Sequence, residues 1–279
     1  MLCSMKYMLE KAQRGQYAVP HFNVWNVEML QGVMEAAEEA GSPVIVSFGS
    51  GCLKNADIDL FAPMLLAAAR RSPVSVAVHW DHGRDSTVVR RAYELGFNSL
   101  MIDASAYPLE RNIALTREIV DTYRPLGIPV EAELGHVGAE TVYEDALAKY
   151  GYTDPAEAGE FVRRTEADCL AVAIGNMHGH YSSRPHIAFP ILEKVRQCVT
   201  VPLVLHGGSG IGDEDIRTAI SLGIAKINVH TELCEAAREA INGAAGDSFM
   251  TLEQEVRRAV KRRAGEKIAL FGSAGKTGA

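Results

Sequence analysis

Short apolar runs rich in β-branched residues recur along the chain, and longer stretches with helical spacing fill the gaps between them. The runs cover residues 17–24 (YAVPHFNV), 43–48 (PVIVSF), 73–80 (PVSVAVHW), 99–104 (SLMIDA), 129–134 (PVEAEL), 169–175 (CLAVAIG), 202–207 (PLVLHG) and 226–231 (KINVHT). Apolar positions at helical spacing predict amphipathic helices in between, as in 26–41 (NVEMLQGVMEAAEEAG), 86–96 (STVVRRAYELG), 110–127 and 213–223. The second of these reaches Gly96, a residue type that often closes a helix because it tolerates positive φ.

Eight near-continuous apolar strands alternating with helices imply a parallel sheet covered on both faces. Eight such units in about 250 residues match a closed (β/α)8 TIM barrel. The competing open, doubly wound sheet would carry a glycine-rich fingerprint in its first strand–helix turn. That turn reads FNVWNVE here, without glycine, so we expect the barrel, as one domain spanning residues 1–279. Two connections, 135–157 and 176–188, are longer than the rest and follow strands five and six. The closing stretch from residue 251 predicts an amphipathic helix and a small-residue tail, to cover the barrel or to dock on another subunit.

Strand three ends in His-Trp-Asp-His-Gly, although burying ionisable groups is costly unless they are paired or bind a metal. Asp81 and His82 lie at that end, Glu131 and Glu133 at the end of strand five, and His178 after strand six. His206 ends strand seven, and Asn228, His230 and Thr231 end strand eight. All fall on the C-terminal rim, where barrels of this type carry their active sites. His82, His178 and His206 are each followed by glycine, which lets backbone approach a ligand closely. Three histidines from three strand ends suit Zn2+ with an open position for substrate. His230 and the other histidines lack this pattern, so packing explains them as well.

HGGSGI, residues 206–211, followed by a helix start, presents backbone N–H groups to an anion where barrels often build a phosphate site. Asp81 reads either as an orienter of a metal-bound histidine or as a free acid/base. Adjacent strand residues point to opposite faces, so an irregular strand end must re-aim Asp81 or His82 for both to enter one cavity. Metal, phosphate cradle and acid/base together imply chemistry on a phosphorylated sugar. A Schiff-base route would need a desolvated lysine, and the strand runs hold only Lys226, expected at the far rim of strand eight.

A net charge of -7 argues against nucleic-acid binding, and no apolar run approaches the roughly 18 residues of a membrane span. Five scattered cysteines without a CxxC pair suit reduced thiols, and hence a soluble cytoplasmic protein.

The stretches FNVWNVEML, SPVIV, VHWDHG, MIDAS, PVEAELGHVG, AVAIGNMHG, VPLVLHGGSGI, AKINVHTEL and LFGSAGK span nearly the whole chain, and through them it resembles the class II, zinc-dependent ketose-bisphosphate aldolases. The resemblance implies that His82, His178 and His206 bind Zn2+, that Glu133 is the acidic residue near the metal, and that Asp81 is the acid/base. It places Asn23, Gly179, Gly207, Gly208, Ser209, Asn228, His230 and Thr231 around the substrate, with a monovalent cation (Na+ or K+) at nearby carbonyls. Glu140 falls in the loop where the family keeps a proton-transfer glutamate. The implied reaction splits a ketose 1-phosphate or bisphosphate into dihydroxyacetone phosphate and an aldehyde, in a homo-oligomer (dimer or tetramer). His230 and Gly49 depart from the family's usual residues, which argues against fructose or tagatose bisphosphate as substrate, and His230 with Arg184 points to a longer or acidic aldehyde rather than glyceraldehyde 3-phosphate. A non-catalytic aldolase-stabilising subunit should have lost the metal histidines or the acid. A metal-dependent epimerase or isomerase would give one product instead of two.

Overall fold

The computed structural model describes residues 1–138, 151–181, 185–246 and 248–278. Eight parallel strands close into a barrel in sequence order, β1 (Val19–Asn23), β2 (Val44–Gly49), β3 (Val76–Gly83), β4 (Ser99–Ile102), β5 (Val130–Leu134), β6 (Cys169–Val172), β7 (Leu203–Leu205) and β8 (Ile224–Val229). The predicted runs match these strands to within a few residues. The largest shift is in β3, which continues through the polar His-Trp-Asp-His-Gly segment.

The outward strand faces and the surrounding helices form one continuous core, including Phe22, Val46, Phe48, Val78, Trp80, Leu100, Leu170 and Ile227. Local chemistry sets the helix starts. The Asn26 side chain accepts from the Met29 N–H at 2.9 Å, opening α2 (Val27–Glu39), and Asp85 caps the helix Ser86–Glu94 in the same way.

One element was not legible in the strand pattern. Helix α1 (Met5–Gly15) plugs the N-terminal end of the barrel, where Met5, Met8, Leu9 and Ala12 pack on Val19, Ile45, Ala77, Ala171 and Val204. The opposite end is thereby the only one left open among the described residues.

The closing helix, Phe249–Leu270, covers the barrel by packing on α2 and on the helix Thr231–Gly243. At the crossing, a Cβ on Gly32 would lie 2.7 Å from the Arg257 carbonyl oxygen, so only glycine admits this approach. The tail then passes the turn that follows α2, where the Gly275 N–H donates to the Ala40 carbonyl at 2.8 Å and the Thr277 N–H to the Gly41 carbonyl at 3.0 Å.

Candidate active site

The open end holds a cavity of about 340 Å³ walled by the C-terminal ends of the strands and the loops that follow them. Asp81 and His82 both line it, although they are neighbours on one strand. The β3–β4 register shifts between Trp80 and Gly83, and His82 takes a left-handed φ of 52°. It is therefore His82 that the irregular strand end re-aims, as alternation required. Gly83 makes the bend possible, since a Cβ there would lie 2.5 Å from the Met101 carbonyl oxygen. Ser50 steadies the bend by donating to the His82 carbonyl at 2.6 Å.

Three imidazoles converge beside Asp81. Candidate ligand nitrogens of His82, His178 and His206 lie within 4.8 Å of one another, and His82 Nε2 and His206 Nδ1 are 3.1 Å apart. His178 Nε2 is buried without a hydrogen-bond partner. The outer nitrogens are held by carboxylates, His82 Nδ1 by Asp103 and His206 Nε2 by Glu131, each at 2.9 Å. That arrangement fixes both rings with the remaining nitrogen facing inward, as in metal-ligating histidines. An orphaned buried nitrogen and three converging donors fit a divalent cation.

The charges agree with this picture. Burial lowers the pKa of His178 and His206, favouring the neutral form that binds metal. His82 is different: burial opposes its charge, but Asp81 and Asp103 raise it to about 10. Burial and the Asp103 charge push Glu133 up to about 8. Glu133 Oε1 accepts from the Val137 N–H and the Ser105 hydroxyl, both at 3.0 Å, while Oε2 sits 3.4 Å from His206 Nδ1. With His82 and Asp103, Glu133 forms a second group able to hold a cation.

Asp81 is 4% exposed, and its two oxygens accept from Asn23 at 2.9 Å and Asn228 at 3.3 Å. Burial works against its ionisation, but His82, His21, His206 and Lys226 outweigh it and hold the carboxyl well below its ordinary value. It accepts no hydrogen bond from a candidate metal histidine, so it reaches the cavity as an ionised carboxylate held by two amides.

Lys226 corrects an expectation. It lies inside the barrel, fully buried, not at the far rim, because β8 opens at Ile224 and turns its third residue inward. Its ammonium donates to Glu131 and to Asn228 Oδ1, with contacts of 2.9 and 2.8 Å. Lys226, Glu131 and His206 thus form a chain beneath the candidate metal centre.

Asn23, Gly179, Gly207, Ser209, Asn228, His230 and Thr231 all line the cavity. Gly207 has φ 63°, and a Cβ there would fall 1.9 Å from the Met177 carbonyl oxygen. Gly208 does not line the cavity. Its N–H donates to the Asn228 carbonyl at 2.9 Å, and a Cβ would strike Ile227, so it is a packing glycine. His230 stands at the mouth, edge-on to Trp25 with ring centres 5.1 Å apart. Glu140 and Arg184 lie outside the described residues.

Asp103, Ser105 and Arg84 also belong to this rim and were not singled out in the sequence. Asp103 had an available signal, since it follows strand four on the same rim as Asp81. Arg84, an exposed side chain at the cavity edge, had none.

A closed (β/α)8 barrel whose open end brings three converging histidines, able to hold a metal ion, beside a buried carboxylate is the arrangement of a candidate metal-site barrel enzyme. Residues 3–276 match the class-II fructose-bisphosphate aldolase family, and the chain belongs to it. It is 59% identical over 276 residues to the protein YdjI of Escherichia coli (strain K12), with 99% of each chain covered. The crystal structure of the YdjI aldolase superposes with a TM-score of 0.92 over all of both chains, at 54% identity. A fructose-bisphosphate aldolase of Geobacillus stearothermophilus is 41% identical over 288 residues, covering 99% of this chain and 98% of that one. The protein is accordingly an aldolase-family lyase, and among the described residues no helix is long and apolar enough to cross a membrane.

Proposed function

We propose that the protein catalyses zinc-dependent, reversible aldol cleavage of a ketose 1-phosphate or bisphosphate, releasing dihydroxyacetone phosphate and an aldehyde. The observation that carries this reading is a buried, ionised Asp81 facing the same cavity as three converging histidines. His82, His178 and His206 would hold the zinc, with Glu133 and Asp103 as alternative oxygen donors. A zinc ion there supplies Lewis acidity to the ketose carbonyl.

Asp81 takes the proton from the hydroxyl at the bond being broken. As that carbon becomes the aldehyde, the carbon–carbon bond breaks and its electron pair passes to the dihydroxyacetone phosphate fragment. A proton returned to that fragment completes the cleavage, and Glu140 is the residue we assign to it. Asn23 and Asn228 keep the Asp81 carboxylate aimed at the hydroxyl. Gly179, Gly207 and Ser209 receive the phosphate, with Thr231 beside them and a monovalent cation at their carbonyls. His230 and Arg184 select a longer or acidic aldehyde.

The test is to incubate the zinc-loaded protein with dihydroxyacetone phosphate and a panel of short, long and acidic aldehydes. A condensed ketose phosphate is expected, formed fastest with an acidic or longer aldehyde. A panel that yields no condensed product overturns the aldol reading.

A further inference from the structure

The loop Gly207–Gly210 is clamped from a direction the reaction itself does not require. Ser209 Oγ accepts from the backbone N–H groups of His230 and Glu232, at 3.4 and 3.3 Å, capping the helix that follows β8. Glu232 answers in reverse, its Oε1 accepting from the Gly210 N–H at 2.9 Å. Two loops from adjacent strands are thereby tied by reciprocal bonds, much as a capping box ties one helix start. The carboxylate is 8% exposed and is held in turn by the closing helix, through Lys267 at 2.7 Å and Arg263 at 3.1 Å. Lys267 is equally buried. A buried carboxylate beside a loop meant for phosphate repels that anion unless it is offset, so the cost needs a positional return.

We infer that Glu232 is a positioning residue for the substrate phosphate, setting the shape of the Ser209–Gly210 turn, and that Lys267 and Arg263 act on the phosphate through it. The inference rests on the phosphate-loop assignment of the proposed function. It makes the far C-terminal helix a determinant of phosphate affinity, although none of its residues reaches the metal cavity.

Charge and position make opposite forecasts, and this separates them. Glu232→Gln removes a negative charge, so electrostatics alone predicts tighter binding of phosphate. Positioning predicts weaker binding. The experiment uses the full-length zinc-loaded protein, with inorganic phosphate as the calorimetric probe and KM and kcat for the identified ketose phosphate as a second readout. Glu232→Gln and Lys267→Met should each weaken phosphate about tenfold and raise KM similarly, since each breaks a charged hydrogen bond. Turnover should stay within about twofold, because ground-state placement is lost and proton transfer is not. The double variant should be little worse than the weaker single one, as expected for residues acting through one contact. Lys267→Arg should restore affinity.

Phosphate binding by Glu232→Gln that equals or exceeds wild type overturns the inference, as do additive losses in the double variant. Should Glu232→Gln fail to fold, equal phosphate affinity in Lys267→Met and Lys267→Arg overturns it instead. Wild-type protein that binds no phosphate removes the phosphate loop and this clasp together. Phosphate binding without any aldol product removes the proposed reaction and leaves the clasp standing.

Discussion

Asp103 Oδ2 lies 2.9 Å from His82 Nδ1, and this pair decides which nitrogen of the His82 ring is turned to the candidate metal. The contact leaves Nε2 pointing at His206 Nδ1, 3.1 Å away. Two histidine nitrogens held at that distance need a proton or a cation between them.

Removing the orienting carboxylate should therefore loosen the metal while leaving the three histidine ligands in place. Asp103→Asn should lower zinc affinity by about 10- to 100-fold, as is usual for partners of metal-bound histidines. Competition against a chelator of known affinity measures it. Unchanged affinity would assign Asp103 a role in folding alone.

Asp81→Asn keeps shape and both amide neighbours but cannot accept a proton. Turnover should fall by on the order of 100- to 10,000-fold while bound zinc stays at the wild-type level. Wild-type turnover with cleavage rate-limiting would return Asp81 to the role of orienting a neighbour.

Proton occupancy gives a third check. In the metal-free protein burial opposes the charge on His82, but Asp81 and Asp103 raise it to about 10. Burial with the Asp103 charge pushes Glu133 up to about 8, which favours the protonated form of both in neutral solution. A cation must displace them, and apparent zinc affinity should rise steadily as pH is raised from about 6 to 9. The same raised His82 value stabilises the metal-free fold fully below its ordinary 6.5, and this contribution fades as pH climbs through about 10. Calorimetry in buffers of different ionisation enthalpy counts the protons released. Affinity that ignores pH would contradict the assignment of His82 as a ligand.

His230 offers a test of substrate choice. Its ring sits at the cavity mouth against Trp25 and takes no part in the histidine cluster. His230→Ala should cut kcat/KM for the preferred acidic or long aldehyde by the equivalent of about 1.5–3 kcal/mol, and much less for a short neutral one. An equal loss for every aldehyde would leave the ring a packing role.

Much of this was legible in the chain itself. The alternation of apolar runs and helical spacing determined the barrel, because buried parallel strands must be apolar along their whole length. The same reading put His82, His178, His206 and Asp81 on one rim, since the end of a strand is a property of sequence position. It could not say which rim residues meet. Asp103 pairs with His82, and Glu131 joins Lys226 to His206, only because barrel closure and register bring residues from different strands together. Lys226 moved from the rim to the interior, and Gly208 turned from the cavity to Ile227, for a related reason. A start shifted by two residues, or one extra turn in a loop, redirects a side chain in a way that local pattern does not record. Composition along the chain thus determined the fold and the kinds of groups at its open end. The protonation of those groups, their partners and the bonds that tie Glu232 to the Gly207–Gly210 loop were decided by tertiary structure, because burial and charge proximity exist only once the strands have closed.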